Sequence, residues 1–451
     1  SAEASSQAID ATGGRSMRAR RVHQAWLPHA CWLSLLLAGC GGPEESLREV
    51  ALRCAALPGA KASANEALRA EVLQLQEARQ TPGLLRPPTA IGEDAARLLA
   101  DALSDATRYK LFPELERLMP SGRFLFDTPA LDAIGRLLRS HAQLRLAIQR
   151  AEQAPACVFR PQNALGNMAP MRYLDDAAIA ARLRLNAAAP DRAGVAGGGP
   201  DVAAAIEEVR GAMYWIGHLA RVGRIEARVL AARLRGEALT VIEAIADNAA
   251  TQRPDLERLY TLLRQTLEAW PGDAAALIGD RSVSLHTYEL IREGYLEQVL
   301  TDEDRALLER RRLLASVQSM GATQIDEDQL AYLGAVRALI AAAQQPHHQR
   351  VERVQAVMKP FNPEEAASVE APLASNLLLP SVPAALHAMA LDRAACEVWA
   401  IALAAAADLD PPPLRVNPVT GVAYEVNRLA GSLIVRSGDP ELRDAYARVA
   451  P

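Results

Sequence analysis

Apolar residues recur at steps of three and four along most of this chain, which is the spacing of one face of an α-helix. Leu131, Ile134, Leu138, Leu144 and Ile148 follow this pattern. We interpret residues 131–148 as one helix. His141 lies in the same stripe, and we expect it to be a packed or rim side chain rather than a metal ligand.

Further helices follow with punctuation between them. Residues 171–186 read as a helix, and residues 187–200, with three consecutive glycines, read as a flexible connector. A helical hairpin covers about 206–245 with Gly223 at its break, and Pro254 opens another helix that ends before Pro271. The glycine run lacks the Lys-Ser/Thr of a P-loop and follows no strand, so we do not interpret it as a phosphate site.

Two acidic runs stand at apparent helix starts. Thr301 with Asp304 three residues on predicts a capping box. Asp326-Glu327-Asp328 repeats the arrangement ahead of an apolar stripe. Acidic residues suit the positive end of the helix dipole, so we interpret both runs as solvated helix starts rather than metal sites.

The pattern changes near the C-terminus. A helix from Leu379 to about Ala407 meets a run of prolines that ends it. Beyond it, Asn417-Pro418-Val419-Thr420-Gly421 predicts a turn, followed by alternating and short apolar runs. We predict a small antiparallel hairpin or three-stranded piece over 414–436, covered by the preceding helix.

These elements predict a mainly α fold: an irregular helical-hairpin array with tetratricopeptide-like packing, whose consensus is not matched, and a small C-terminal β-hairpin. Four segments follow from the breaks. They are an upstream segment and signal peptide (1–39), an N-terminal helical region (40–160), a helical-hairpin body (170–372), and a long helix plus hairpin (373–451).

The N-terminal segment carries the strongest motif. Arginines follow Met17, our preferred start, and an apolar run then ends in Leu37-Ala38-Gly39-Cys40. This motif resembles the lipobox of bacterial lipoproteins, which implies cleavage before Cys40 and lipidation of that cysteine. A chance match in an Ala/Leu-rich chain is the alternative. The run is shorter than the ~20 residues that a spanning helix needs.

Charge and cysteines narrow the partners. A net charge of −5 with mixed signs argues against nucleic acid, whose phosphates need clustered Lys and Arg. After loss of Cys31 and lipidation of Cys40, the remaining thiols are Cys54, Cys157 and Cys396. We interpret them as buried thiols, with one disulfide as an open alternative.

No strong catalytic, cofactor or metal motif is present, so we assign no catalytic, cofactor-binding or metal residue. Two pairs deserve a structural check. His286 and Glu289 share a helix face at a spacing of three, and His347-His348 stand near Glu352. Two ligands do not make a transition-metal site, which needs three or four.

Several motifs together resemble a family of uncharacterised bacterial envelope lipoproteins that end in an Asp-Pro-Phe-Thr-Gly-x-x-Tyr hairpin. They are the Asn417–Gly421 turn, the Cys157-Val158-Phe159 loop, the Leu379-Pro380 entry, and Ile278-Gly279-Asp280-Arg281 as a helix start. Asn417 replaces the usual Asp. A weaker similarity links the hairpin to type II secretion pseudopilins, but their N-terminal helix is absent. The resemblance implies a fold and no reaction.

We therefore expect a lipid-anchored extracytoplasmic scaffold of the bacterial cell envelope, facing the periplasm or exterior, that binds a protein or peptide and uses no cofactor. An enzyme is the less favoured alternative, for instance an envelope hydrolase whose site gathers a His and two carboxylates from distant positions. A structural spacer is a third interpretation.

Overall fold

The computed structural model describes residues 65–77, 93–118, 128–159, 171–193, 201–362, 371–411, 416–429 and 432–448. This part of the chain is mainly helical and carries one small antiparallel sheet, which confirms the predicted fold class. None of its helices is long and apolar enough to cross a membrane.

The described residues form 16 α-helices, a 3₁₀ turn at Lys359–Phe361 and a π-turn at Ala374–Leu378. The helices are α1 Glu66–Glu77, α2 Ala95–Ala102, α3 Asp105–Leu118, α4 Thr128–Ser140, α5 Ala142–Ala151, α6 Arg172–Ala193, α7 Val202–Ala220, α8 Ile225–Ala246, α9 Arg253–Glu268, α10 Asp273–Arg292, α11 Leu296–Val299, α12 Asp302–Arg310, α13 Leu314–Gln318, α14 Ala322–Ala342, α15 His347–Met358 and α16 Val382–Ala406.

Local signals place several of these ends correctly. Thr301 Oγ1 accepts from Asp304 N, and the Asp304 carboxylate accepts from Thr301 N, each at 3.1 Å, so the predicted capping box begins α12. Pro254 lies in the first turn of α9. Gly223 has a φ of 73° between α7 and α8, a conformation that glycine adopts without steric cost.

Two predicted boundaries are wrong. The single helix expected over 131–148 is interrupted at His141, which is half-buried and separates α4 from α5. The connector expected over 187–200 begins later, because α6 continues to Ala193. Both errors are of one kind: apolar spacing alone does not locate where the chain stops making i to i−4 hydrogen bonds.

The second acidic run was also misplaced. Helix α14 begins at Ala322, so Asp326 and Asp328 lie in its second turn, and both are buried rather than solvated. Arg292 of α10 donates to Asp326 at 2.7 Å. Asp328 accepts from the Tyr288 hydroxyl and from the main-chain amides of Leu373 and Ala374. The run therefore joins three segments.

Ile278-Gly279-Asp280-Arg281 does not begin a helix. It lies inside α10, which starts at Asp273. Gly279 approaches the α7–α8 turn so closely that a Cβ built on it would stand 1.6 Å from the Gly223 carbonyl oxygen. Glycine at 279 is thus a requirement of close backbone packing rather than a helix-start signal.

The first hydrophobic core surrounds α6. Helices α3, α4, α7 and α8 pack on α6, and α9 and α16 close the core. Small side chains on α6, among them Ala177 and Ala181, are fully buried and allow close approach of these helices. Two buried arginines of α6 form ion pairs with neighbouring helices. Arg182 donates to Glu237 of α8 at 3.0 and 2.8 Å, and Arg184 pairs with Glu208 of α7 at 2.6 Å.

The second core lies around α10 and α14. It includes α1, the π-turn and the first half of α16. Helix α16 belongs to both cores, because Val382–Met389 lie in the second and Cys396–Ala407 in the first. Between these stretches, Asp392 pairs with Arg235 of α8.

A second carboxylate bridges the same region. Asp273 accepts from Arg228 of α8 at 3.0 Å and from Arg350 of α15 at 2.7 Å. Arg228 and Arg350 are almost fully buried. Removing either partner of such a pair leaves an uncompensated buried charge, so the ion pairs of Asp273 and Asp392 fix how α8, α10, α15 and α16 pack together.

The C-terminal sheet has the order β1-β2-β3, with β1 Glu425–Leu429, β2 Ser432–Arg436 and β3 Ala445–Arg448. Both pairs are antiparallel, and β3 lies beyond the predicted 414–436 limit. Helix α16 packs against β2 and β3, as the sequence predicted for the helix before the sheet.

Candidate interaction surface on the C-terminal sheet

The turn before β1 is built around Asn417. Its side-chain Oδ1 accepts from Val419 N at 2.7 Å, and its amide donates to the Ser437 carbonyl at 2.9 Å. Gly421 takes a φ of 72°, as the sequence predicted for this turn. An aspartate at position 417 would have no donor for Ser437, so the asparagine at this position has a structural role.

This turn caps α15. The Pro418 carbonyl accepts from His348 N at 3.0 Å and lies 3.2 Å from His348 Nδ1. Pro346, at the N-cap position of α15, makes no side-chain cap hydrogen bond. The first helical amides need acceptors, and the turn supplies one from about 70 residues away in sequence.

The helices that pack on the sheet contact β2 and β3 more extensively than β1. Val426 pairs with Val435 and Arg428 with Leu433, so each pair lies on one face. Val435 and Leu433 are completely buried, whereas Val426 is 46% exposed and Arg428 is also exposed. Strand β1 is therefore an edge strand whose inner face is open.

A shallow depression of about 230 Å³ lies beside the start of β1. Its charged lining residues are Glu425, Arg436, Asp439 and Asp444, and Glu425 is the register partner of Arg436. Val422, 55% exposed, forms an apolar wall. The depression thus combines carboxylates, one guanidinium and an exposed apolar side chain next to an open strand edge.

A hydrogen-bonded chain of two histidines and a carboxylate joins α15, α16 and the connection between β2 and β3. His347 Nε2 and His387 Nδ1 are 3.1 Å apart, and His387 Nε2 lies 3.1 Å from Glu441 in the β2–β3 connection. His347 Nδ1 is buried and has no hydrogen-bond partner among the described residues. Burial, with Arg350 and His387, lowers the pKa of His347 to about 4.

The sequence singled out His347 and His348 but paired them with Glu352, and this grouping does not form. His347 faces His387, His348 faces Pro418, and Glu352 is exposed. Sequence reasoning missed His387 and Glu441, which lie 40 and 94 positions from His347. The one visible signal was that His387 is the lone histidine of the Ala-rich α16.

His286 and Glu289 do not converge on a site either. His286 is fully buried, both ring nitrogens lack a hydrogen-bond partner within the described ranges, and burial lowers its pKa to about 4. Glu289 pairs with Arg292 at 2.9 Å. The cavity lined by the neighbouring Thr287 and Tyr288 measures only about 10 Å³. The described residues place no three His, Cys, Asp or Glu side chains for a metal ion.

The remaining predicted positions divide into two groups. Cys40, the predicted lipidation site, and Cys54 lie outside the described residues. Cys157 and Cys396 are buried free thiols, as expected, and burial raises the pKa of Cys157 to about 12.

Comparison with known proteins finds no matching family model, no matching curated protein and no matching solved structure.

Proposed function

We propose that this chain is a lipid-anchored scaffold of the bacterial cell envelope that holds a partner protein on the open edge of its C-terminal sheet. The observation that carries the anchor is Leu37-Ala38-Gly39-Cys40 behind an arginine-led apolar run. Cleavage before Cys40 and its lipidation hold the mature chain at a membrane face.

The strand edge supports the binding half of the proposal. Residues 425–428 are all exposed. Val426 offers an apolar contact on the same face of the sheet as buried Val435 of β2. Among the described residues β1 pairs with β2 alone, so a partner segment in extended conformation pairs with its outer edge and covers Val426. Glu425, Asp439 and Asp444 favour a basic side chain in that segment.

Site-specific photo-crosslinking tests the binding half. A photoreactive residue replaces Val426 in one version of the full chain and exposed Tyr109 of α3 in a matched control. We expect an adduct at position 426 whose crosslinked peptide is an extended, basic segment of one recurring protein, and no such adduct at position 109. Equal adducts at both positions contradict the proposal.

A blocking variant sharpens this test. With the photoreactive residue at Asn427, which is also exposed, Val426→Lys places a charge on the open strand, a device by which edge strands resist pairing. The adduct should disappear. If it persists at full yield, the partner does not pair with β1.

The enzyme alternative requires a deep pocket that holds a His with two carboxylates. The described surroundings of His286 do not form that pocket. The exposed side chain of Val426 on edge strand β1 supports the scaffold instead.

A further inference from the structure

The proton positions in the His347–His387–Glu441 chain follow from its acceptors. A carboxylate only accepts, so His387 Nε2 carries the proton that bonds to Glu441. Neutral His387 then has an unprotonated Nδ1, which accepts from His347 Nε2–H. His347 Nδ1 is left without a proton, and this agrees with its buried, unpartnered position among the described residues.

The charges around the hydrogen-bonded side chains of His347, His387 and Glu441 restrict which histidine can take a further proton. His347 faces Arg350 and His348 from its own helix, Asp273 from the start of α10 and His387 from α16. Arg350 is buried, and it also donates to the Leu386 carbonyl beside His387. Arg350 disfavours a cation on His347. His387, by contrast, is 35% exposed and faces the Glu441 carboxylate.

We propose that His387 is a proton-operated switch between two partners. When neutral, it accepts from His347 and holds the first turn of α15 against α16. When protonated, it carries N–H groups on both nitrogens, remains bound to Glu441, and releases the first turn of α15.

The release follows from the hydrogen-bond inventory. Protonated His387 presents Nδ1–H to His347 Nε2–H at 3.1 Å, and two donors cannot bond to each other. His347 can accept that proton at Nε2 only by moving its own proton to Nδ1, where no acceptor is available among the described residues. Leaving that donor buried and unsatisfied is unfavourable, so the His347–His387 contact opens.

The opening reaches the candidate surface. His348, next to His347, donates its main-chain N–H to Pro418 in the turn that precedes β1. The same turn leads into Val422, a wall of the depression. Acid therefore loosens one wall of this surface, whereas the loop holding Glu441 stays attached to α16. The switch does not depend on which partner binds there.

Amide hydrogen exchange on the full chain tests the switch at pH 7.5 and pH 5.0, with labelling times scaled for the intrinsic pH dependence of exchange. We expect exchange in 346–351 and 417–422 to accelerate about tenfold at pH 5.0, the change expected when one hydrogen bond is lost. Segment 437–444 and helix α7 should change less than about twofold, because neither loses a hydrogen bond.

Three variants make the result specific. His347→Gln keeps a neutral donor toward His387 and should abolish the acid response. His286→Gln removes a fully buried histidine whose pKa is also lowered, and this variant should keep the acid response. His387→Gln, at a partly exposed position, removes the ring that takes the proton and should also abolish the acid response.

An unchanged rate in 346–351 at pH 5.0 would overturn the switch. So would equal acceleration of α7, which reports general unfolding, or an acid response that survives in His347→Gln. If His347→Gln does not fold, His387→Gln decides the matter, since an acid response that survives in this variant contradicts the role of His387.

Discussion

Asn417 donates its side-chain amide to the main-chain carbonyl of Ser437 at 2.9 Å, which joins the turn before β1 to the segment after β2. Both residues are buried. Asn417→Asp removes the donor and places a carboxylate against that carbonyl oxygen. We expect the free energy of unfolding to fall by about 1–3 kcal/mol, measured by urea denaturation at pH 7.5.

Asn427→Asp is the matched control, because Asn427 is exposed on β1. It should change the free energy of unfolding by less than about 0.5 kcal/mol. Equal effects of the two substitutions would show that the Asn417–Ser437 bond carries no special weight.

Gly211 makes room for a buried arginine. A Cβ built on Gly211 would lie 2.0 Å from Arg184 Nε, and Arg184 pairs with both Glu152 and Glu208. Gly211→Ala displaces the guanidinium and disrupts these pairs. We expect a loss of about 2–4 kcal/mol in thermal or urea unfolding, since breaking buried ion pairs is costly.

Gly217 in the same helix provides the opposite expectation. No neighbouring atom of the described residues lies within 4 Å of a Cβ built there, so Gly217→Ala should stabilise by up to about 1 kcal/mol through helix propensity. If both alanine variants shift stability in the same direction, the packing argument at Gly211 fails.

Gly279 tests the contact between α10 and the α7–α8 turn. The obstacle is a main-chain oxygen of Gly223, which cannot rotate away as a side chain can. Gly279→Ala should destabilise by about 2 kcal/mol, as overpacking does. Gly334→Ala in α14, with open space around it, is the control. A neutral Gly279→Ala would show that the two segments separate at little cost.

The local sequence does not reveal which of these glycines packs against a distant segment. Helix periodicity, the Thr301–Asp304 box and the Asn417–Gly421 turn are local, so the helical class and the C-terminal sheet were predictable. Asp326 and Asp328 were misread because their partners, Arg292 and Tyr288, lie 34 and 40 residues away. Local pattern favours solvation for such a run, and tertiary pairing overrides it.

The candidate surface was less predictable for the same reason. The turn itself was visible in the sequence, but its role as the cap of α15 depends on His348, which is 70 residues distant. The His347–His387–Glu441 chain joins three segments that share no motif. The exposure of β1 depends on which strands α16 packs against, and the apolar spacing of α16 does not specify those strands.

Buried His286 predicts a pH effect with a definite sign. Its folded pKa of about 4 lies below the ordinary value of 6.5, so the unfolded chain binds more protons between these limits. The stability contributed by neutral His286 is complete above pH 6.5 and is lost as pH falls toward 4. His286→Leu should therefore lose less stability than the parent chain between pH 7 and pH 4.5 in urea titrations.

The comparison must be between variant and parent. Burial raises the pKa of Asp175 and of Asp328 to about 6, and such carboxyls add stability as pH falls through the same range. They are present in both proteins and cancel in the difference. Identical pH dependence of His286→Leu and the parent would contradict the buried neutral histidine.

The anchor is the central claim and has the most direct test. Bacteria expressing the chain from Met17 are fed an alkyne fatty acid, and the purified protein is checked for label beside Cys40→Ser and Cys54→Ser. The account predicts label in the parent and in Cys54→Ser, and none in Cys40→Ser. An unlabelled parent, or label that survives in Cys40→Ser, would contradict it.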